Sequence, residues 1–198
     1  APAELPARRL KELLADTGLT EITTWAFTSK SALEAARMPE AVRQAIPLEN
    51  PLSEKQALMR PTLIPALLQA AAYNLNRGAR RVALFELAPI YKQGGGEEPD
   101  VQRTHLAVLL AGKRHPIHWD QTDAAFDFYD LKGYTETIAD FAWLTPQLEA
   151  TALATLQEGQ SANIAIGAAR GILGKVAPEV CEAHDIDAAA YLLEIDVT

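Results

Sequence analysis

The apolar residues between positions 63 and 91 are spaced first as on a helix and then as on a strand. From Leu63 to Leu75, leucines and alanines recur every three or four residues, which places them on one face of a helix. Thr62 can cap the first turn of this helix, and Gly78 can end it by adopting a positive φ. Residues 82–91 are mostly β-branched, aromatic or aliphatic, and a glycine hairpin tip follows at 94–96. The pattern predicts a helix followed by a central strand.

The same two spacings predict the other elements of the chain. Helical spacing predicts helices over residues 6–17, 29–36 and 130–143, and a further helix that starts at Pro178. Short apolar or β-branched runs predict strands over residues 20–27, 104–110, 163–166, 171–173 and 191–197. Because the strands follow one another in antiparallel runs with helices inserted irregularly, we expect an α+β fold, with a mainly antiparallel sheet flanked by helices.

Two of the acidic residues in these predicted elements, Glu86 and Asp130, are candidates for a catalytic role. Glu86 interrupts the central strand and could act as a general base, but pairing with a nearby arginine or capping a backbone group is the simpler interpretation, since a buried charge needs a partner. Asp130, with Lys132, stands where a helix begins, and an acid there is favoured by the helix dipole. We therefore expect structural roles for these residues.

Composition narrows the class of protein. The chain has 198 residues, of which 48% are hydrophobic and 22% charged, as in a folded globular domain. Its formal net charge of −8 argues against a broad nucleic-acid clamp, which needs clustered cations. Cys181 is the only cysteine, so no internal disulfide can form, and a reducing compartment is the natural location. With neither a membrane-spanning run nor a secretion signal in the sequence, we expect a cytoplasmic protein.

Residues 113–125 could be interpreted as a metal site or as a loop. His115, His118, Asp120 and Asp123 are residue types that bind zinc at short spacing. Pro116 breaks a helical presentation, however, and no cysteine supports a zinc site. The sequence favours a solvated loop without a metal.

Three arginines, Arg77, Arg80 and Arg81, form the main basic cluster of the sequence. Such a cluster is most often a solvated turn. The alternative is a surface that contacts RNA or a neighbouring subunit.

Several separated motifs, in order, give the chain a family resemblance. These are the run LMRPTLIPALLQAAAYNLNRGARRVALFELAPIY at 58–91, DFYDLKG at 127–133 and YLLEIDV at 191–197. Together they resemble the core module of the phenylalanyl-tRNA synthetase beta subunit, from Leu10 to Val197. The resemblance implies the fold of a class II aminoacyl-tRNA synthetase catalytic domain. We expect residues 1–198 to be a single domain, and a piece of a longer beta subunit because the chain begins at Ala1 without methionine.

The resemblance also implies that this module has lost the class II catalytic residues. The ATP-binding arginine and acid of the second class motif correspond to Lys92 and Gly94, after Tyr91, and the adenine-stacking phenylalanine falls near Ala107. Lysine is a point charge and cannot reproduce the bidentate guanidinium fork. We therefore expect no catalytic residue and no cofactor in this domain.

The third class motif requires a glycine-rich strand that leads into a helix with a second phosphate-binding arginine. Here Gly167, Gly171 and Gly174 precede Lys175 and a helix started by proline, while Arg170 lies among the glycines. The pattern is again incomplete, which agrees with the absence of activation chemistry.

The first class motif builds subunit interfaces, and it corresponds to the helix and strand of residues 8–27. The resemblance makes Leu10, Leu13, Leu14 and Trp25 possible interface residues. The alternative is an ordinary helix packed on its own sheet.

Two hypotheses for function remain. In the first, the module is not catalytic and supports the alpha subunit, in a heterotetramer of two alpha and two beta chains, while the complete enzyme uses ATP and magnesium to charge tRNA with phenylalanine. In the second, the chain is a stand-alone class II-like domain that binds a nucleotide through Lys92 and Arg60, or activates an amino acid.

Overall fold

The computed structural model describes residues 7–94, 100–120 and 123–198. The helices are α1 (Ala7–Asp16), α2 (Lys30–Ala35), α3 (Glu40–Arg43), α4 (Ile64–Leu75), α5 (Phe128–Phe141) and α6 (Pro178–Ala183). The strands are β1 (Thr20–Glu21), β2 (Phe27–Thr28), β3 (Leu58–Met59), β4 (Arg81–Lys92), β5 (Val101–Gly112), β6 (Gln147–Ala150), β7 (Leu156–Ile166), β8 (Ala169–Val176) and β9 (Ala190–Asp196). A 3-10 turn covers Glu54–Gln56.

A seven-stranded sheet in the order β1-β4-β5-β9-β8-β7-β6 organises the fold. All neighbouring strands in it run antiparallel except β1, which pairs in parallel with β4. Strands β2 and β3 form a separate two-stranded sheet. The predicted α+β class with a mainly antiparallel sheet is confirmed.

Each face of the large sheet carries its own apolar core, because side chains alternate along a strand. Helices α2, α4 and α6 cover one face, where Leu33, Leu68 and Val180 pack with Leu109 and Leu192. Helices α1 and α5 cover the other face, where the buried set is Leu10, Leu14, Leu131, Phe85 and Leu193. Within the described ranges, no helix is long and apolar enough to span a bilayer.

All five predicted helices are present, and α6 begins at Pro178 as predicted, while the starts of the others are shifted by one or two residues. The Ser29 hydroxyl accepts a hydrogen bond from Ala32 N and caps α2, as the sequence indicates. Leu63 holds the N-cap position of α4, one residue later than predicted, but the Thr62 hydroxyl still accepts a hydrogen bond from Ile64 N at 3.2 Å while it donates to Glu194. Helix α5 begins at Phe128, two residues earlier than predicted, because Asp127 and Asp130 form a reciprocal capping box around its first turn.

The strand predicted over residues 20–27 is wrong, because only its two ends are strands. Between β1 and β2 the backbone leaves the ladder, and the Thr24 amide and hydroxyl donate to the Glu86 carboxylate instead. β-branched composition predicted the strand, but a buried acid elsewhere in the chain takes its hydrogen bonds. The sequence also missed β6, whose residues are all exposed and show no apolar alternation. Strands β7 and β8 are longer than predicted.

A buried ion pair joins strand β4 to the segment before helix α4. Arg60 and Glu86 are 3% and 1% exposed, and their Nη1 and Oε1 atoms lie 3.0 Å apart. The Arg60 guanidinium also donates to Pro89 O at 2.9 Å and to the Thr24 hydroxyl at 2.9 Å. The predicted pairing of Glu86 with a nearby arginine is confirmed.

Removing one member of this pair should strongly destabilise the protein. We expect Arg60→Met to lower the free energy of unfolding by about 3–5 kcal/mol, because Glu86 would keep its charge without a buried partner. The double variant Arg60→Met/Glu86→Leu should lose less than the sum of the two single variants. Urea unfolding followed by circular dichroism measures all three.

The exposed pair Arg8–Glu12, whose side chains are 91% and 57% exposed, provides the control. Arg8→Met should change the free energy of unfolding by no more than about 0.5 kcal/mol. Simple additivity of the Arg60 and Glu86 substitutions would contradict the ion-pair interpretation.

Gly112 ends β5 where a side chain has no room. Its φ is +78°, and a Cβ there would lie 2.3 Å from the Arg80 carbonyl oxygen. We expect Gly112→Ala to destabilise the protein by at least about 2 kcal/mol, from left-handed strain and the clash. Gly133→Ala, inside α5 and with no heavy atom within 4 Å of the added Cβ, should instead stabilise by about 0.5–1 kcal/mol in the same unfolding experiment. Equal effects at the two positions would contradict this account.

Candidate functional site

Polar residues gather at one end of the sheet face that α4 covers. The register aligns Ala88, His105, Asp196 and Arg170 in one row across β4, β5, β9 and β8. The next row on the same face, closer to the apolar core, consists of Glu86, Ala107, Glu194 and Ile172. Because side chains two residues apart share a face, both rows face the same space.

Glu194 is the second buried carboxylate of this face, at 6% exposure. Its Oε1 atom accepts a hydrogen bond from Leu63 N at 3.0 Å, and its Oε2 atom accepts one from the Thr62 hydroxyl. These donors lie at the start of α4, where the helix dipole favours a negative charge. The carboxylate therefore fixes the position of this helix end on the sheet.

His105 completes the Glu194 network. Its Nδ1 atom lies 2.9 Å from Glu194 Oε1, so Nδ1 carries the proton and donates to the carboxylate. The other ring nitrogen, Nε2, is buried and has no hydrogen-bond partner within the part of the chain that the structure describes. It lies 4.0 Å from Asp196 Oδ2.

Asp196 is a partly buried carboxylate at the end of β9. Burial alone would raise its pKa, but hydrogen bonds from Thr198 and the nearby His105 and Arg103 outweigh burial and lower the pKa below the usual 3.8. Its Oδ1 atom accepts from Thr198 N at 3.0 Å. Asp196 is thus an anion at neutral pH.

A cavity of about 350 Å³ lies over this polar row. Its walls are largely apolar, while its polar lining includes His105, Glu194 and Asp196. The apolar lining comprises Met38, Pro39, Val42, Pro61, Leu153 and Ile172. Lys92 and Arg170 also line it.

The positions that correspond to the second class motif lie on and beside this face. Tyr91 N donates to Arg60 O at 2.9 Å, and Gly94 N donates to Asp100 Oδ1 at 2.9 Å. Lys92 is exposed opposite Val101. Ala107 is buried between Glu86 and Glu194 on the neighbouring strands. Of the predicted hairpin tip, residues 95 and 96 lie outside the described residues.

Arg60 is not available to a ligand. The hypothesis of a nucleotide-binding domain used Arg60 with Lys92, but the buried Arg60 guanidinium is bound to Glu86, Thr24 and Pro89. No observation in the structure favours that hypothesis.

The glycines assigned to the third class motif lie in β8 and in the turn before it. Gly167 has a φ of +60° in this turn, and the Arg170 guanidinium folds back to donate to the carbonyl oxygens of Gly167 and Ala169 at 2.6 and 2.9 Å. Gly171, Gly174 and Lys175 follow within β8. Helix α6 comes next and contains no arginine.

The four residues named as a possible interface lie in different environments. Leu10 and Leu14 are 1% and 0% exposed and pack in the core under α1, so they have no surface for another chain. Leu13 is partly buried against the same core. Trp25, by contrast, is 74% exposed on the segment between β1 and β2.

The three clustered arginines point to separate local partners. The Arg77 guanidinium lies over the Tyr73 ring at 3.5 Å from its centroid. Arg80 pairs with Asp123 at 2.9 Å. Arg81 donates to the carbonyl oxygens of Gly18 and Arg114. A contact with RNA or with a subunit remains a prediction.

Residues His115, His118, Asp120 and Asp123 do not converge. Asp123 binds Lys113 and Arg80, and the hydrogen bond from Lys113 leads the lowering of the pKa of Asp123. His118 Nδ1 accepts from Asp120 N at 3.1 Å. Among the residues that the structure describes, no group of three histidine, cysteine or acidic side chains could hold a metal ion. Residues 121 and 122 of this predicted loop lie outside those residues.

Sequence reasoning missed His105, Glu194 and Asp196 as members of a site. A signal was present, because Glu194 and Asp196 stand two residues apart in a strand and must share a face. The sequence did not show that β5 would place His105 beside both of them.

Comparisons with known proteins identify the family and the fold. Residues 1–197 match the family model of the phenylalanyl tRNA synthetase beta chain CLM domain. The phenylalanine–tRNA ligase beta subunit of Geobacter sulfurreducens is 33% identical over 194 residues, which cover 96% of this chain and 24% of the relative. The beta subunit of Moorella thermoacetica is 34% identical over an alignment of 205 residues, which covers 99% of this chain and 25% of the relative. The chain thus spans about a quarter of the length of these curated relatives.

Solved structures support the fold alone. A pyrrolysyl-tRNA synthetase from Desulfitobacterium hafniense superposes with a TM-score of 0.70 at 19% identity, covering 99% of this chain and 67% of that one. The sheet and helices are therefore those of a class II aminoacyl-tRNA synthetase catalytic domain. With the family match over residues 1–197, the chain belongs to the phenylalanine–tRNA ligase beta-subunit family, as its CLM domain.

Proposed function

We propose that this domain is a catalytically silent module of a phenylalanine–tRNA ligase, which supports the alpha subunit while that subunit performs the ATP-dependent charging of tRNA. The observation that carries the proposal is the surroundings of Ala107. Where the family resemblance implies an adenine-stacking aromatic, the face offers a buried methyl group between the carboxylates of Glu86 and Glu194. No platform for a base exists there.

The charges of this face also disfavour a triphosphate. Glu86 is paired with Arg60, but within the described ranges the only basic group within 4.0 Å of Glu194 is His105. Asp196 adds a further negative charge in the next row. Like charges repel strongly where little water can screen them. Lys92, exposed and without a fork geometry, is a poor replacement for a phosphate-binding arginine.

We further propose that the partner is an alpha subunit, in an assembly of two alpha and two beta chains. Relatives about four times the length of this chain are named as beta subunits, which supports a partner of the alpha type. In this proposal ATP and magnesium bind to the complete enzyme but not to this domain, and tRNA is engaged through that enzyme. In the same proposal, the complete enzyme is located in the cytoplasm, where tRNA is charged.

Photolabelling of the assembled enzyme with 8-azido-ATP tests where the nucleotide binds. We expect the labelling that excess ATP prevents to occur in peptides of the alpha subunit. Peptides from β4 or β5 should carry no such label, because Ala107 and its acidic neighbours form no adenine site. Mass spectrometry of the digested enzyme locates the label. Label on β4 or β5 that ATP competes away would refute the proposal.

Trp25 is the predicted interface residue with a large exposed surface, and its substitution tests the interface with the alpha subunit. We expect Trp25→Ser to weaken subunit assembly by at least about tenfold, since a tryptophan that becomes buried at an interface often dominates the binding energy. Trp143→Ser is the matched control, because Trp143 is 95% exposed and lies just after the C-terminal end of α5. Sedimentation of the mixed subunits measures both. Equal assembly of the two variants would remove Trp25 from the interface.

A further inference from the structure

A groove of about 650 Å³ lies beside the outer face of α4, on the side of that helix that faces away from the sheet. Helices α4 and α2 line it with small side chains, namely Ala32, Ala35, Ala66 and Ala72. None of the 12 residues of α4 is charged, although 22% of the whole chain is. The outer face of α4 therefore lacks the charges that a solvated helix surface usually carries.

Tyr73 and Arg77 form a stack of two planar groups in the lining of this α4 groove. The Arg77 guanidinium lies 3.5 Å from the centroid of the Tyr73 ring, and its Nη1 atom donates to Tyr73 O at 3.3 Å. These contacts hold the guanidinium over the ring, while Tyr73 stays 58% exposed. Unpaired bases of RNA stack on aromatic rings and on guanidinium planes. The pair is thus a preformed platform for a base.

The charge of the α4 groove is opposite in sign to that of the chain. Lys55 and Arg77 line it, and neither pairs with an acid within the described ranges. Asp185 is the one acidic residue of the lining in the part of the chain that the structure describes. The chain as a whole has a formal net charge of −8. A local surplus of cations on such a chain suits an anionic partner, and phosphate is the anion that RNA offers.

The other two arginines of the basic cluster are used by the fold. Arg80 pairs with Asp123, and Arg81 donates to two backbone carbonyl oxygens. Arg77 donates only to the preceding helical turn within the described ranges, so most of its N–H donors are open to an outside acceptor. Of the three arginines, Arg77 is therefore the one that the structure presents to a ligand.

We propose that the α4 groove binds an unpaired nucleotide of RNA, whose base stacks on Tyr73 and Arg77 while a backbone phosphate pairs with Lys55. Gln69, exposed in the same lining, has an amide that can donate to and accept from a base edge. The inference rests on the proposed function, since a phenylalanine–tRNA ligase binds a tRNA. An acidic protein segment would use the same cations, but it has no planar group for the platform.

Two substitutions in the assembled full-length enzyme separate stacking from charge. Filter binding at several salt concentrations measures the affinity for an unmodified transcript of a phenylalanine tRNA. Tyr73→Ala should weaken binding at least about fivefold without changing the salt dependence, because a base loses its stacking partner. Lys55→Ala should reduce the slope of log affinity against log salt concentration by about 0.7, because one phosphate contact of a single strand is lost.

Two further variants serve as controls. Tyr73→Phe keeps the ring and should leave the affinity within about twofold of the wild type. Tyr129→Ala removes a tyrosine that is 77% exposed on α5 and lies outside the groove lining, so it should also leave the affinity within about twofold. Preserved subunit assembly shows that each variant is folded.

Four results would overturn the proposal. Two are unchanged affinity in Tyr73→Ala and an unchanged salt slope in Lys55→Ala. The third is a loss in Tyr73→Phe or Tyr129→Ala as large as that in Tyr73→Ala, because the effect would then not come from a stacked base in the groove. The fourth is a loss of subunit assembly in Tyr73→Ala or Lys55→Ala, which would assign the groove to a protein partner.

The wild-type enzyme shows which proposal has failed. If it binds and charges the transcript while the groove variants behave like the wild type, only the groove assignment is wrong. If the assembled wild-type enzyme does not bind the transcript at all, the proposed function is wrong as well.

Discussion

Two buried carboxylates on one sheet face, Glu86 and Glu194, set the arrangement of the structure around them. Each must be supplied with hydrogen-bond donors, because a buried charge that loses its partners destabilises the fold by on the order of 3–5 kcal/mol. Glu86, in the middle of β4, accepts hydrogen bonds from Thr24 and Arg60, and Glu194 contacts the start of α4 and His105. The chain segments that carry these donors are far from the acids in sequence. Satisfying the two acids therefore fixes the connections between helices and sheet.

The spacing of apolar residues along the chain predicted the helices and strands that bury a continuous apolar face. The helical spacing of residues 63–75 and the apolar run of residues 82–91 correspond to α4 and β4, since both bury a continuous apolar face whatever the rest of the chain does. The strand expected at 20–27 failed for a non-local reason. Its residues favour a strand, but Glu86, 62 positions from Thr24, takes their hydrogen bonds. Propensity cannot detect such a competitor.

The candidate site was predictable only in part, for the same reason. The sequence predicted the pairing of Glu86 with an arginine, because a charge inside an apolar strand needs one. It did not predict His105 with Glu194, which are 89 residues apart and become neighbours only through the pairing of β5 with β9. Strand order is a global property, and a histidine at the edge of an apolar run gives no local indication of its partner. The Leu10 and Leu14 side chains show the converse, since a motif suggested an interface where packing formed a core.

The fold of a class II synthetase does not by itself determine what its sheet face can bind. The pyrrolysyl enzyme shares the architecture with this chain at only 19% identity, so the side chains on the two faces are largely free to differ. A triphosphate needs fixed cations that offset its charge, and buried acids without a cationic partner work against its binding. Here Glu194 has donors from α4 and His105 but no arginine or lysine within 4.0 Å in the described ranges. The donors that stabilise this acid come from the start of α4 and from His105, so the contacts that hold the helix on the sheet are made by the same residues that set the charge of this face.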